Sequence, residues 1–397
     1  MKFVLVSPVL PSSHGRGIII YRLLKELNQS SYCLISSEDS RKIEKTDNYS
    51  KLLSGRYYYL PRLFHRTHIV IRGINKLKKR VNIPQFFQIR LYFRVYQIIK
   101  ILKKCNPDLI ISCSGDIFDL PASYIASKKL KIPFYVYIFD YYSYQWTIPK
   151  ERAFANRYEE IFLRDAAGVI VTNEFMQEEI KKIYGVNTNI VYNCNDSDTY
   201  KLNTNPWPLK KDKIKILYTG AIYDAHYDAF QNLTEAINSF NEVNITLDIY
   251  SNQSKEWLIK KKICGNVSFH DPIIFSKSLE MQKKADILFL PLAFKTNYPE
   301  VIKTSMPGKM GEYLASGRPI LVHAPEDSFV CWYFKKNKCG VVVNNEDPLE
   351  LKKAIKKIIK DKKLREDIIQ NALKCAENDF GIGKARKNFF EAINYKE

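Results

Sequence analysis

Residues 304–322, TSMPGKMGEYLASGRPILV, are the stretch of the sequence that says most about the fold. Pro307 is preorganised for the first turn of a helix, which Thr304 or Ser305 can cap with a side-chain oxygen. Gly317 is suited to end that helix, and the apolar run after it is typical of a buried strand. The pattern predicts a helix over Pro307–Ser316 and then a strand over Pro319–His323.

The same alternation of short apolar strands and helical stretches runs through both halves of the chain. It begins with a strand over Lys2–Ser7 and restarts with a strand over Ile214–Thr219, after a polar stretch at residues 196–213 that is typical of a linker. Alternating strands and helices predict parallel sheets made of βαβ units. The expected fold class is α/β, with two Rossmann-like doubly wound domains facing a central cleft.

Three domain segments follow from this pattern. Residues 1–200 form the first domain, residues 201–380 form the second, and residues 381–397 form a C-terminal helix expected to pack back towards the first domain. Ligands of doubly wound sheets bind at the carboxyl ends of the strands. Both domains are therefore expected to direct binding residues into the cleft.

The composition is typical of a cytoplasmic globular protein. Eight scattered cysteines form no C-x-x-C pair and lie at no metal-ligand spacing from the six histidines, which favours a reducing compartment. The apolar N-terminal run is short and contains Pro8, and no cleavage site follows it. No stretch reaches the ~18 to 20 apolar residues that span a bilayer.

Positive charge is concentrated in one block. The net charge is +20, and residues 48–107 contain fourteen Lys or Arg and no Asp or Glu. Aromatic residues interleave with these cations, as Tyr92, Phe93 and Tyr96 do with Arg90 and Arg94. Such segments bind anionic membrane surfaces. We expect the block to hold the protein on the inner face of the membrane, near a lipid-linked acceptor, although a plain solvated basic face is an alternative.

A nucleic-acid partner is a further interpretation of the basic block. No helix-turn-helix, zinc-finger or RNA-binding aromatic motif accompanies the block. No nucleic acid is therefore expected among the partners.

The helix predicted at Pro307 has the chemistry of an anion site. A helix N-terminus offers backbone N–H groups and a positive dipole end, which suit a diphosphate. Lys309 in the first turn opposes the dipole unless an anion binds there. Glu312, one turn on, can accept hydrogen bonds from a pair of ribose hydroxyls.

These residues resemble glycosyltransferase family 4, a family of the GT-B superfamily. Many members carry Pro-x-Lys-x-x-Glu-Tyr-hydrophobic-Ala-x-Gly-x-Pro at the nucleotide site. The matching residues here are Pro307, Lys309, Glu312, Tyr313, Ala315, Gly317 and Pro319. Two further segments are similar to the family pattern, Leu217–Gly220 and Ala285–Pro291.

The resemblance implies a role for each donor residue. It assigns the donor ribose to Glu312 and the diphosphate to the backbone N–H groups of Ser305 and Met306. Gly220, Lys309 and Tyr313 complete the expected donor-binding set. It also implies a nucleotide-diphosphate sugar as substrate and, in many members, retention of configuration at the anomeric carbon.

The chain departs from the family pattern at two places. Thr304 stands where many retaining members have a second Glu, and the nearest upstream acid is Glu300, expected on a loop and taken as a catalytic candidate. The loop after Gly220 lacks the Arg and Lys that many members carry there. The leaving diphosphate would then rely on Lys309, Lys303, His226 and the helix dipole.

Acceptor-side candidates lie in the first domain. The turn over residues 11–17 contains Gly15 and Gly17, which allow close approach of the backbone to an acceptor or sugar, and His14 as a catalytic candidate. Asp140 follows a strand over Phe134–Phe139, where it can act as a general base or stabilise positive charge on the sugar. Tyr141 beside it can stack on a sugar ring.

The sequence therefore predicts a glycosyltransferase that moves a hexose from a UDP- or GDP-sugar to a glycan or lipid-linked acceptor in cell-surface polysaccharide synthesis. No metal or other cofactor is expected, because the one Asp-x-Asp sequence, Asp196–Asp198, falls in the polar linker stretch. One alternative is a non-catalytic homologue that binds sugars or partners. Another is a nucleotide-sugar epimerase, for which the required cleft acids and histidines are not found.

Overall fold

A computed structural model describes residues 1–12, 17–42, 51–61, 83–195, 207–208 and 213–395. The chain divides into two compact units. The first unit comprises Met1–Thr172, Met176–Val191 and Lys387–Glu397, and the second comprises Asn173–Phe175 and Tyr192–Arg386.

The first unit is built on a parallel sheet of seven strands in the order β3-β2-β1-β4-β5-β6-β7. Its elements in chain order are β1 (Phe3–Ser7), α1 (Ile18–Leu24), β2 (Tyr32–Ser36), β3 (Arg56–Tyr59), α2 (Ile83–Cys105), β4 (Leu109–Cys113), α3 (Asp119–Leu130), β5 (Phe134–Ile138), α4 (Pro149–Asp165), β6 (Gly168–Val171), α5 (Glu174–Tyr184) and β7 (Asn189–Ile190). Strand β1 pairs with β2 on one side and with β4 on the other, so the chain changes direction across the sheet at this point.

The second unit is built on a parallel sheet of six strands in the order β10-β9-β8-β11-β12-β13. Its elements are β8 (Lys213–Thr219), α6 (Tyr227–Asn238), β9 (Asn244–Tyr250), α7 (Lys255–Lys260), β10 (Val267–His270), α8 (Phe275–Lys283), β11 (Ile287–Pro291), α9 (Pro299–Thr304), α10 (Lys309–Ala315), β12 (Ile320–His323), α11 (Phe329–Asn337), β13 (Val341–Val343), α12 (Pro348–Lys360) and α13 (Lys362–Asn378). Here the strand order reverses between β8 and β11.

The last helix, α14 (Ile382–Ala392), begins in the second unit and ends in the first. Within the first unit, Asn388 Nδ2 donates to the Ile190 carbonyl at 3.2 Å and Asn394 Nδ2 donates to Tyr135 Oη at 3.4 Å. These bonds attach the end of the chain to the first sheet.

The central strands are buried on both faces, as their near-continuous apolar sequences predict. All five residues of β1, β4 and β5 are buried, and so are all five of β11. The prediction of an α/β fold with two doubly wound parallel sheets is therefore confirmed.

Four elements were not predicted from the pattern. Strand β3 is a half-exposed edge strand inside the basic block, and helix α9 is only six residues long. Helix α11 was missed as well. Helix α13 follows α12 directly, because Asp361 both ends one helix and caps the next through a bond from Leu364 N to its carboxylate at 2.9 Å.

Candidate functional site

The carboxyl end of β8 lies at the switch point of the second sheet, where ligands of doubly wound folds bind. Gly220 follows this strand with a φ of +127°, a conformation that L side chains rarely adopt. Its N–H donates to the Tyr250 carbonyl at 2.8 Å. A β-carbon at this position would lie 3.0 Å from Lys309 Nζ. The glycine therefore lets the lysine ammonium lie against the backbone after β8.

Lys309 is the first residue of α10, and its ammonium is 3.6 Å from the centre of the Tyr218 ring. Within the described part of the chain, no carboxylate lies within 4.0 Å of it. Loss of hydration lowers the pKa of Lys309 to about 7, and the negative charge of Glu312 opposes that shift only partly. The site thus holds a lysine that has no carboxylate in contact among the described residues, although the charge of Glu312 acts on it from farther away.

The turn before α10 is held through its carbonyl groups. Asn173 Nδ2 donates to the Thr304 carbonyl at 2.8 Å, and Asn193 Nδ2 donates to the Met306 carbonyl at 2.7 Å; both amides are buried. Ser305 N donates to the Ile302 carbonyl at 3.3 Å, whereas the N–H groups of Met306 and Gly308 meet no acceptor among the described residues. The two amides most available to an anion are therefore those of Met306 and Gly308.

The start of this helix differs from the prediction. Helix α10 begins at Lys309 with Gly308 as its N-cap and with no side-chain capping bond. Thr304 belongs instead to the preceding helix α9, where its Oγ1 donates to the Glu300 carbonyl at 3.1 Å, and Ser305 ends that helix. The predicted cap at Thr304 or Ser305 was wrong, because both residues complete a short helix that the sequence pattern did not reveal.

Glu300 also lies in α9, in its first turn, and not on the predicted loop. Pro299 at the first helical position explains the local structure, since proline is favoured there. The side chain is partly buried.

Glu312 and Tyr313 sit on the same helix but have different surroundings. Glu312 is in the first turn of α10 and is 8% exposed. Tyr313 is fully buried, and its hydroxyl accepts a hydrogen bond from Thr219 N at 3.3 Å. Tyr313 therefore supports the end of β8, and no part of its side chain is available to a donor molecule in this structure.

His226 precedes α6 and is 7% exposed, with its ring 4.6 Å from the Tyr223 ring and 6.2 Å from the Tyr218 ring. Burial, and secondarily the charge of Lys309, lower its pKa to about 3. The imidazole is therefore neutral at neutral pH in the free protein, so the help expected from His226 for the leaving diphosphate would come from a hydrogen bond and not from a charge. Its Nδ1 is buried with no hydrogen-bond partner among the described residues.

Two aspartates after β8 were missed by sequence reasoning, Asp224 in the loop and Asp228 in the first turn of α6. Asp228 Oδ2 accepts from the N–H groups of Phe294 and Lys295 at 2.9 and 2.6 Å. Asp224 Oδ2 accepts from Thr296 Oγ1 at 2.8 Å. They tie the loop after β8 to the loop after β11, a pairing that no local motif signals because the partners are about seventy residues apart.

The acceptor-side candidates belong to the first unit. Asp140 lies two residues beyond β5 and is partly exposed; its N–H donates to Ser114 Oγ at 3.4 Å, and its carbonyl accepts from Gln145 Nε2 at 2.9 Å. Tyr141 is fully buried and stacks on Tyr144 with ring centres 4.2 Å apart. The predicted stacking of Tyr141 on a sugar is contradicted by this position in the core.

The glycine-rich turn is only partly described. His14 and Gly15 lie outside the described residues. Gly17 is the N-cap of α1 with a φ of −70°, so it is not required for a left-handed conformation. A β-carbon there would lie 1.9 Å from the Leu10 carbonyl oxygen. Gly17 thus allows close packing of the start of α1 against Leu10, which follows β1.

Helix α2 carries most of the described part of the basic block, the rest lying at residues 51–61, and it has two dissimilar sides. Arg94 is 4% exposed and pairs with Asp119 through Nη2 at 2.6 Å, while its Nη1 donates to the Leu60 carbonyl at 3.1 Å. Its predicted place on a membrane-facing surface was wrong, because this guanidinium is a core ion pair. Arg90 is half-buried over the Phe118 ring at 4.5 Å.

The opposite side of α2 is an exposed apolar stripe formed by Ile89, Tyr92, Phe93 and Tyr96, which are 61%, 61%, 48% and 64% exposed. Their three- and four-residue spacing puts them on one helix face. Lys100 and Lys103 continue the same spacing and are exposed, as is Lys104. We call these seven residues the α2 stripe.

Within the described residues, no helix is both long and apolar enough to cross a bilayer. Over the same residues, no cluster of three or more His, Cys, Asp or Glu side chains is arranged to bind a metal ion.

Two family models match the chain, one for each sheet. The model for Glycosyltransferase Family 4 matches residues 54–199, and the model for Glycosyl transferases group 1 matches residues 213–361. Together they span about three quarters of the chain. Among curated proteins, none matches the chain in sequence.

Solved structures share the complete fold at low sequence identity. A glycosyltransferase from Rickettsia africae is 16% identical with a TM-score of 0.66, covering 100% of this chain and 99% of its own. Sucrose-phosphate synthase from Thermosynechococcus elongatus is 13% identical with a TM-score of 0.70, covering 99% and 98%. HepE from Anabaena, solved with UDP and glucose, is 13% identical with a TM-score of 0.69, covering 100% of both chains.

Two parallel α/β units in one chain, each matched by a glycosyltransferase model, define an enzyme of the GT-B glycosyltransferase class. Within that class the chain belongs to the family 4 and group 1 glycosyltransferases.

Proposed function

We propose that this enzyme transfers a hexose from a UDP- or GDP-sugar to a glycan or lipid-linked acceptor in cell-surface polysaccharide synthesis, with retention of configuration. The observation that carries the proposal is the Lys309 ammonium, held beside Gly220 without a carboxylate partner in the described residues. A buried cation of this kind is stabilised by a bound anion, and a diphosphate is the anion that a nucleotide-sugar brings.

The donor site is proposed to be formed by unit 2 alone. The amides of Met306 and Gly308 bind the diphosphate together with Lys309, and Glu312 accepts from the ribose hydroxyls. His226 is neutral and can donate or accept one hydrogen bond through its unpartnered Nδ1. These groups stabilise the charge of the leaving diphosphate by fixed dipoles and one cation.

UDP-sugars are the first donors to test, because HepE, which has the same fold, was solved with UDP and with UDP-glucose. Titration calorimetry should detect UDP binding to the wild type, with at least tenfold weaker binding for Glu312→Ala. Glu366→Ala is the matched control, since Glu366 is an exposed residue on α13 of the same unit. Equal affinity for all three proteins would refute the proposed ribose contact.

The proposed reaction also needs a group that faces the acceptor. Asp140 is the candidate in the first unit, either as the base for the acceptor hydroxyl or as a carboxylate that stabilises positive charge on the sugar. Glu300 remains the candidate for the place where many retaining members carry a second Glu. Asp140→Asn should lower the rate of sugar transfer at least a hundredfold while UDP affinity stays within twofold of the wild type.

We further propose that the enzyme docks on the inner face of the membrane through the α2 stripe, which places it near a lipid-linked acceptor. Exposed aromatic residues followed by lysines on one helix face suit an anionic bilayer, where apolar groups enter the headgroup layer and each lysine adds about 1 kcal/mol. Few large apolar side chains of the described chain are as exposed as these four.

Flotation with liposomes tests this docking. The wild type should float with vesicles of anionic phosphatidylglycerol and stay behind with neutral phosphatidylcholine, and replacing Tyr92, Phe93 and Tyr96 by Ser should abolish flotation. Ile161→Ser is the matched control, because Ile161 is a 41% exposed apolar residue on another helix of the first unit. Equal recovery with both lipids would overturn the proposal.

A non-catalytic, sugar-binding homologue is the second candidate. Two observations favour it. At the position where many members have a Glu, this chain has Thr304, whose hydroxyl forms a hydrogen bond within its own helix. The imidazole of His226 is neutral. It predicts UDP-sugar binding without turnover, whereas the transferase predicts release of UDP from a UDP-sugar. A coupled UDP-release assay separates the two.

A further inference from the structure

Glu159 is a buried acid in the first unit that the proposed reaction does not use. It lies in α4, its residue surface is 0% exposed, and its carboxylate has no Lys or Arg nitrogen within 4.0 Å among the described residues. A buried carboxyl without a cation is costly to maintain. We therefore expect the carboxyl group of Glu159 to have a role other than filling the core.

The two carboxylate oxygens of Glu159 join two other segments. One accepts a hydrogen bond from the backbone N–H of Ser143 at 3.2 Å, and the other accepts from Tyr184 Oη at 2.9 Å. Tyr184 is the last residue of α5, and Ser143 lies in the connection between β5 and α4. Glu159, which is part of α4, therefore connects the β5–α4 segment with α5.

The connection begins with the candidate acceptor residue. Asp140 opens a turn that closes at Gln145, whose Nε2 donates to the Asp140 carbonyl at 2.9 Å and to the Tyr141 carbonyl at 3.2 Å. Trp146 Nε1 in this turn is buried with no hydrogen-bond partner among the described residues, while the Ser143 and Tyr141 hydroxyls face Glu159 and Tyr184. The turn thus depends on the neighbouring helices, and the bond from Ser143 N to Glu159 attaches its middle to α4.

We propose that Glu159 is a positioning residue for sugar transfer: by holding the Ser143 amide it sets the turn that carries Asp140 and so the place of the Asp140 carboxylate. This inference rests on the proposed role of Asp140. A displacement of about 1 Å at a reacting group can cost on the order of a hundredfold in rate, so a tether three residues away is close enough to matter.

Other charged or titratable groups face Glu159 from each element around it. They are Tyr141 and Tyr142 of the turn, Tyr184 of α5 and Arg152 of α4, while Tyr144 and Glu179 bond to each other beside Tyr141. Burial raises the pKa of Glu159 to about 7. Both the protonated and the ionised carboxyl keep an oxygen that can accept from Ser143 N, and glutamine keeps one too. Leucine keeps none.

The test compares Glu159→Leu with Glu159→Gln in the full-length chain. For Glu159→Leu we expect the amide of Ser143 to exchange with deuterium at least tenfold faster in mass-spectrometric measurements. We also expect kcat for UDP release to fall tenfold or more while KM for UDP-glucose stays within twofold. Glu159→Gln should restore both exchange and kcat to within threefold of the wild type. Glu160→Leu, an exposed neighbour on α4, is the matched control.

Each outcome decides the matter. Unchanged exchange at Ser143 in Glu159→Leu would show that the tether does not hold the turn. Faster exchange with unchanged kcat would show that the turn does not position a reacting group. If Glu159→Leu is too unstable to assay, Glu159→Gln decides. If the Ser143 amide exchanges at the wild-type rate in Glu159→Gln but its kcat is more than threefold below that of the wild type, the proposal is overturned. If the wild type binds UDP-glucose but releases no UDP, the transferase function itself is refuted. The exchange measurement does not depend on that function and still tests the tether.

Discussion

The pH dependence of nucleotide binding tests the arrangement around Lys309 most directly. The pKa of this lysine is lowered to about 7 in the free enzyme because its ammonium is taken out of water against the Tyr218 ring. A diphosphate beside the ammonium would raise that pKa again, since an opposite charge favours the charged form. Binding should therefore take up a proton, and UDP affinity should fall as pH rises above 7.

The size of the effect follows from linkage. If UDP binds only the protonated lysine, and the pKa in the complex lies above the range tested, the affinity falls about 75-fold between pH 7.5 and 9.5, or about 2.6 kcal/mol. The terminal phosphate of UDP ionises near pH ~6 and keeps a constant charge in this range. The uracil N3–H ionises near its upper end, so the difference between the wild type and Lys309→Met, and not the wild-type curve alone, reports the lysine.

Titration calorimetry at several pH values provides the assay, with Lys309→Met as the perturbation. The variant should bind UDP more weakly at pH 7.5 and should vary less than about threefold up to pH 9.5. Lys363→Met is the control, because Lys363 is an exposed lysine on α13 of the same unit, and it should keep the wild-type slope. Parallel curves for the wild type and Lys309→Met would refute the reasoning.

Three further predictions concern stability and local fit. The pKa of Glu159 is raised from 4.5 to about 7, so the folded state holds this proton more tightly and the free energy of unfolding should fall as pH rises from 4.5 to 7 and then level off. Glu159→Gln should remove that loss and be more stable than the wild type at pH 8 by up to about 3 kcal/mol in urea unfolding, with little difference at pH 4.5; a variant less stable at pH 8 would contradict this. Gly311→Ala should destabilise the protein by about 1 to 3 kcal/mol, because its β-carbon would lie 2.9 Å from the Phe380 ring; a change below about 0.5 kcal/mol in thermal unfolding would show that α10 can shift. Gly220→Ala should weaken UDP binding at least tenfold, because it strains a φ of +127° and displaces the Lys309 ammonium; an unchanged dissociation constant would contradict that.

Much of the architecture could be predicted from the sequence, because buried parallel strands and the helices between them have strongly periodic patterns of hydrophobic residues. Strands β1, β5 and β8 begin or end within one residue of their predicted bounds. The short elements failed: α9 and β3 have too few residues for periodicity to reveal them.

The candidate site was only partly predictable. Local pattern marked Gly220, Lys309 and Glu312, since each follows a strand or opens a helix. It could not show that the Tyr141 and Tyr313 rings are fully buried or that Arg94 pairs with Asp119, because neighbours from distant parts of the chain decide burial. Glu159 was not predicted for the same reason, because its sequence context is that of any charged residue on a helix.

By itself, then, the amino-acid order determined two parallel α/β sheets and the order of the elements that carry the donor residues, because hydrophobic periodicity is a local property of the chain. Only the tertiary structure decided the charge states: it puts Lys309 against Tyr218 and Gly220, makes His226 neutral, and buries Glu159 under the turn of Asp140. Protonation depends on the loss of water and on charges brought near by folding, and neither is written in any short stretch of sequence.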